Sequence, residues 1–299
     1  MKITVCGGSG FIGRRLVSIL EQQGHQVHLL GRRPKAGMPS GAAFSLWDPE
    51  AGPPPAESLA EADAVIQLAG EPVAQRWSPE VKRRIRSSRV EGVRNLVRGM
   101  EALGSRPTVL ISASAVGYYG DRGDQVLTEV AVEGTGFLSE VCVEWERAAA
   151  AASGLGCRVV SPRIGVVLGR GGGALDKMLP AFQAGLGGRV GSGRQWMPWI
   201  HLEDLCSMMV WLLESGEVHG PVNAVGPNPV TNSEFTRALG RALGRPAILP
   251  VPRLALRLLY GEMSDLLFHS QRVVPTAAQS GGFAFKHPEV FGALKDLLT

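Results

Sequence analysis

The sequence predicts an α/β fold, a doubly wound parallel sheet with a smaller C-terminal α/β domain. Three observations predict it. Short apolar runs rich in Val, Ile and Leu alternate with segments of helical period, as buried parallel strands and their crossover helices do. The first run stops at a glycine cluster that opens directly into a helix. Past Gly169 the alternation gives way to a glycine-rich stretch and then to separate helices.

Taken in order, "KITVC" at 2–6 is a β-rich run that ends at glycines, and "FIGRRLVSILEQQG" repeats apolar residues at helical spacing up to Gly24. "HQVHLLG" is the second strand, which completes a right-handed βαβ unit. "AAFSLW" and "ADAVIQLAG" are the third and fourth strands. The basic segment "KRRIRSSRVEGVR" at 82–94 is a helix, and "PTVLISAS" is the fifth strand. "FLSEVCVEWERAAAAAS" is a long helix leading into the sixth strand, "CRVVSPRIGVVLG". Residues 169–198 hold many glycines and no steady period, which predicts a mobile lid or substrate loop. "IHLEDLCSMMVWLLESG" returns to a helix and "PVNAVG" to a strand. "TNSEFTRALGRALG" is a helix capped near Thr231 or Asn232, and short helices close the chain.

A chain of 299 residues, 44% of them hydrophobic, is long enough for about two domains at ~150 residues each. No run approaches the ~18 apolar residues of a membrane span, and glycines interrupt the N-terminus before a signal-peptide core forms. Cys6, Cys142, Cys157 and Cys206 lie among apolar neighbours without metal or redox spacing, which predicts reduced thiols and a cytoplasmic protein. The net charge of +4 is concentrated at 82–94, where Arg83, Arg84, Arg86 and Arg94 surround a helix whose apolar positions are Ile85, Val90 and Val93. That pattern is expected of a solvated helix face and not of a nucleic-acid surface.

"GGSGFIG" places Gly7, Gly10 and Gly13 at G-x-x-G-x-x-G between a strand and a helix, with Ser9, Phe11 and Ile12 among them. Glycines permit the tight turn and the close approach of a pyrophosphate, whose charge the helix N-terminus favours. A Rossmann-type dinucleotide site is therefore expected at these six residues. After the second strand, an acidic residue would accept from a ribose hydroxyl; here Arg32 and Arg33 stand instead, donors suited to a 2′-phosphate. The cofactor expected is NADP(H). Asp48, before a proline, is as well suited to a turn as to adenine.

Taken together with "QLAGEP", "RW" at 76–77, "SR" at 88–89, "GYYG", "WE" at 145–146, "PRIGVVLGRGGGAL", "GSGRQWMPWIHLEDL", "SQRVVP" and "GFAF", the chain resembles the extended short-chain dehydrogenase/reductase superfamily. More narrowly, it resembles the NAD-dependent epimerase-like family of class 39U, along nearly its whole length. The resemblance implies an NADP(H)-binding domain, expected here over 1–168 with 201–226 returning to it. It implies a substrate or lid domain over 169–200 and 227–299. Leu68, Ala69 and Gly70 would run along the cofactor, Pro162, Ile164 and Gly165 would hold the nicotinamide amide, and Trp199 and His201 would border the substrate. His201 has no partner at metal-ligand spacing in the sequence, so no metal is expected.

In the superfamily a serine polarises the reacting carbonyl, and a tyrosine four residues before a lysine moves the proton. Ser114 matches the serine. At the expected start of the long helix, Phe137 and Val141 stand for the tyrosine and lysine, and neither residue type occurs between Gly120 and Gly173. Tyr118 and Tyr119 are the substitute acids to weigh, against a role in packing or in the wall of the pocket; Glu140 and Glu144 could pair on one helix face. The expected function is an NADP(H)-dependent oxidoreductase acting on a small organic molecule through an atypical site with Ser114, Tyr118 and Tyr119. The alternatives are a non-catalytic NADP(H)-sensing regulator or scaffold and, third, a sugar-nucleotide epimerase. A small-molecule substrate, no nucleic acid, no membrane and a homodimer complete the expectation.

Overall fold

The computed structural model describes residues 1–34 and 42–299. Among the described residues the central sheet has eight strands: β1 (Lys2–Cys6), β2 (Gln26–Gly31), β3 (Ala43–Leu46), β4 (Ala64–Gln67), β5 (Val109–Ser112), β6 (Arg158–Ile164), β7 (Gly220–Ala224) and, off the main path, the two-residue strand Ser114–Ala115, which pairs in parallel with the end of β6. The order along the main path is β7-β6-β5-β4-β1-β2-β3, and every pairing is parallel. Strand order reverses between β1 and β4, which opens a crevice at the carboxyl ends of these two strands.

Alternate residues of the strands enter two cores. Ile3, Val5, Ile66, Ile111 and Val222 pack with α1 (Phe11–Gln22) and α5 (Leu202–Glu214) on one face. Val65, Leu110 and Val159 pack with α2 (Pro79–Glu101) and α3 (Phe137–Ala150) on the other. On α2, Ile85, Val90 and Val93 are buried, and the arginines make ion pairs: Arg83 with Glu80, Arg84 with Glu71, Arg94 with Glu91. Glu140 and Glu144 do not pair with each other; both face Arg86.

Two segments depart from the sequence reading. The run 157–169 is not one strand, because β6 ends at Ile164 and Val166–Leu168 leaves the sheet to pair in parallel with Trp199–His201. Gly165 makes the crossing: a Cβ there would lie 2.8 Å from the Pro198 carbonyl oxygen. The glycine-rich stretch after Gly169 also contains a helix, α4 (Gly173–Gln183), despite Pro180 within it. Leu175 and Phe182 of α4 are buried with Trp199, Phe235 and Leu239, so tertiary burial outweighs the proline penalty.

That third core also takes in α6 (Asn232–Leu243) and, after α7 (Arg253–Tyr260) and α8 (Thr276–Ser280), the terminal helix α9 (Val290–Leu298). The cap of α6 falls on Thr231, one of the two positions expected, and Thr231 and Glu234 cap the helix reciprocally. Among the described residues no helix is long and apolar enough to cross a membrane.

Candidate active site

The turn after β1 is built by backbone contact. Gly7 has φ +83°, and a Cβ on it would lie 2.7 Å from the Ala69 amide nitrogen. Gly10 donates its N–H to the Gly7 carbonyl at 2.9 Å, and a Cβ on Gly13 would meet that same oxygen at 2.2 Å. The β1 turn, the start of α1 and the loop after β4 are thus pressed together with no side chain between them. No side chain caps α1, so the first-turn amides, where Phe11, Ile12 and Gly13 stand beside Ser9, remain available to an anion.

Fully buried Gln67 accepts the Ala69 N–H at 2.9 Å and fixes the turn through Leu68 and Gly70. Beneath that turn Arg89 donates to the Glu71 and Ile85 carbonyls and stacks on Trp145, its guanidinium 5.2 Å from the ring centre. The glycine-rich segment seals the other side, since Cβ atoms on Gly169, Gly172 and Gly173 would come within 2.8 to 2.9 Å of the Phe11 ring. This part of the expected lid is packed onto the glycine turn and the start of α1. Arg32 and Arg33 are exposed at the carboxyl end of β2. Asp48 accepts the N–H of Glu50, the turn reading.

Beyond β5, Ser114 is 2% exposed and its hydroxyl donates to Glu146 Oε1 at 2.6 Å. The same carboxylate takes two bonds of 2.9 Å from Arg163, a bidentate pair between α3 and β6. Arg163 also donates to the Tyr119 hydroxyl at 2.9 Å, and that hydroxyl donates to Asn223 Oδ1 on β7 at 2.6 Å. Burial by itself would lower the pKa of Arg163, but the Glu146 carboxylate outweighs it and the guanidinium is held more firmly charged than usual.

Tyr119 is therefore a correction to the proposed catalytic set. It has no exposed surface, and its hydroxyl is enclosed by Arg163, Asn223 and the Thr128 carbonyl. Tyr118 is different: half-buried, it lays its ring 3.4 Å from the Arg163 guanidinium, and its hydroxyl makes one long contact of 3.4 Å, to Glu133. Burial raises the pKa of both phenols, and the nearby Arg163 charge does not offset it. This is the opposite of what a tyrosine activated by an adjacent lysine requires. Phe137 packs edge-on to Trp77, and Val141 is buried, so α3 brings no proton carrier at either position.

The profile of the NAD dependent epimerase/dehydratase family matches residues 3–226. The chain belongs to this family. A second match, a domain of unknown function, covers 251–297. An epimerase family protein of Mycobacterium bovis is 42% identical over 294 residues, spanning 98% of this chain and 96% of its own. The human epimerase family protein SDR39U1 is 36% identical over the full length of both chains. Its crystal structure with NADPH has a TM-score of 0.91 to this chain at 35% identity, covering 100% and 99% of the two. A Thermus thermophilus UDP-glucose 4-epimerase with NAD, at 20% identity and TM-score 0.79, shares the fold.

Within this epimerase-family framework, Pro162, Ile164 and Gly165 lie at the end of β6. Pro162 falls where pairing with β5 lapses between Val160 and Arg163, so its missing N–H leaves no ladder bond broken on that side. Trp199 and His201 do not line a substrate pocket. Trp199 is 1% exposed in the third core, and its indole donates to the Asn228 carbonyl. His201, also 1% exposed, caps α5 by accepting the Glu203 N–H, and burial lowers its pKa. His201 has no ligand-spaced partner in the sequence, but His287 and Asp296 come close to it in space.

Sequence reasoning weighs Glu146 only as one of several helix carboxylates and places Arg163 only in the nicotinamide segment; it does not single out Asn223 or the pairing of the other two. Glu146 and Arg163 stand in "WE" and "PRIG", motifs that carried the resemblance, but nothing local shows that residues 17 apart pair.

Proposed function

We propose that the chain binds NADP(H) and transfers hydride from NADPH to a small organic acceptor, with Tyr118 as proton donor. The observation that carries the cofactor reading is the Gly7, Gly10, Gly13 turn pressed onto Ala69, which leaves the amides of α1 open to a diphosphate. The NADPH in the human SDR39U1 crystal supports it, as do the exposed Arg32 and Arg33.

The nicotinamide cofactor supplies hydride when bound; the chain's own part is to hold and orient it and to place a proton. A phenol holds its proton at neutral pH, so Tyr118 is in the form that can donate, and burial, which raises its pKa, makes it a weaker acid than a lysine-activated tyrosine. Ser114 cannot donate to a carbonyl while its proton lies on Glu146.

Calorimetric titration tests the first part. NADPH should bind more tightly than NADH, and Arg32→Ala/Arg33→Ala should weaken NADPH by roughly tenfold to a hundredfold, the loss of one or two charged hydrogen bonds. Equal binding of both cofactors by the variant and the wild type would remove the arginines from the reading. For the second part, Tyr118→Phe should slow NADPH consumption over a carbonyl and enone panel with an unchanged NADPH Kd.

A second reading, an NADP(H) sensor without chemistry, is favoured by the burial of Ser114 and by Phe137 and Val141 at the proton-transfer positions. NADPH protection of the glycine turn from protease, with no consumption over that panel, would select it. Sugar-nucleotide epimerisation draws no support from this proton inventory.

A further inference from the structure

We propose that His201, His287 and Asp296 form a binding site for a divalent transition-metal cation of the zinc class, where the start of α5 meets the C-terminal helix α9. One donor atom from each residue lies within 4.8 Å of the others. The second, independent observation is His201 itself: the residue is 1% exposed, and its Nε2 is buried with no hydrogen-bond partner. That nitrogen lies 3.5 Å from Asp296 Oδ2 without forming a hydrogen bond to it. The His287 ring stacks on it, centroids 3.8 Å apart and planes 28° from parallel.

The site is held from outside. Asp204 on α5 accepts the backbone N–H groups of Lys286 at 2.8 Å and His287 at 3.0 Å, and so fixes the segment that presents His287. The Asp296 side chain is 56% exposed and free to turn towards the two rings. Two imidazoles and one carboxylate, with water completing a tetrahedron, match the nitrogen and oxygen donors of zinc-class cations and not those of calcium or magnesium.

His201 Nδ1 accepts the Glu203 N–H at 3.1 Å, which places the proton of the neutral ring on Nε2 in the free protein. A cation at Nε2 moves that proton to Nδ1, and the Glu203 amide loses its acceptor. Metal binding is thereby coupled to the first turn of α5, where Glu203 also pairs with Arg15 of α1.

The test uses the tag-free full chain titrated with zinc chloride alone, by calorimetry and by equilibrium dialysis. His287→Ala and Asp296→Asn are the variants, since neither residue is buried. The four cysteines are buried in the folded chain and do not compete. One zinc per chain is expected, weakened roughly tenfold to a hundredfold or more in each variant. The Glu203 amide resonance should move on zinc addition to the wild type. Binding of wild-type strength in both variants, no stoichiometric binding, or a Glu203 amide that stays in place would each overturn the proposal.

Discussion

Replacing Glu146 by alanine strands a buried cation, and the size of the loss follows from the contacts. Arg163, with a side chain 3% exposed, loses two hydrogen bonds of 2.9 Å, and Ser114 loses its acceptor at 2.6 Å. Removing one partner of a buried ion pair costs about 3–5 kcal/mol. Arg163 keeps its bonds to Tyr119 and to the Glu129 carbonyl, which points to the lower end, about 3 kcal/mol. Against a total of ~5–15 kcal/mol that is a large share. Urea unfolding followed by circular dichroism would measure it, with Glu146→Leu, Arg163→Met and their double variant closing a cycle. The double variant should recover much of the stability lost by Glu146→Leu, because an apolar pair leaves no stranded charge. A loss under about 1 kcal/mol for Glu146→Ala, well short of the buried-pair range, would show that the pair does not anchor α3 to β6.

Three further outcomes are expected. Tyr119→Phe should destabilise by about 1–3 kcal/mol, since Asn223 and Arg163 lose a buried partner, whereas Tyr118→Phe should leave the urea midpoint almost unchanged. Gly13→Ala should weaken NADPH binding at least about tenfold and lower the melting temperature, because its Cβ would meet the Gly7 carbonyl at 2.2 Å and backbone cannot yield as a side chain can; wild-type affinity would refute the close-contact account of the turn. The Glu234 carboxyl, held below its ordinary pKa by the Thr231 N–H and hydroxyl, contributes stability above its unfolded pKa of about 4.3 and loses it as pH falls through the lower folded value. Glu234→Gln should flatten that acid slope of the urea midpoint below about pH 5. An unaltered slope would assign acid sensitivity elsewhere.

Much of this was legible in the chain. The order of strands and helices through β5, the glycine turn and a cap near Thr231 are local patterns, set by side-chain period and by what glycine and threonine do to their own neighbours. α4 was not legible, because its flanking glycines and Pro180 read as breakers, and only burial of Leu175 and Phe182 against Trp199 holds it as a helix. The bend at Gly165 was hidden for a similar reason, since its cause is the Pro198 carbonyl, distant in sequence.

The candidate site divides in the same way. By itself the sequence determined that a glycine-rich strand-to-helix turn stands after β1, that two arginines follow β2, and that no tyrosine and lysine are spaced for proton transfer on α3; these are facts of residue type and short spacing. Only the tertiary structure decided which of two adjacent tyrosines faces inward. It alone joined Ser114 to Glu146 across 32 residues and brought His287 and Asp296 to His201. The physical reason is that hydrogen bonds, ion pairs and burial act over a few ångströms of space, and the distances that matter here are closed by the parallel sheet and by the return of the C-terminal chain onto α5.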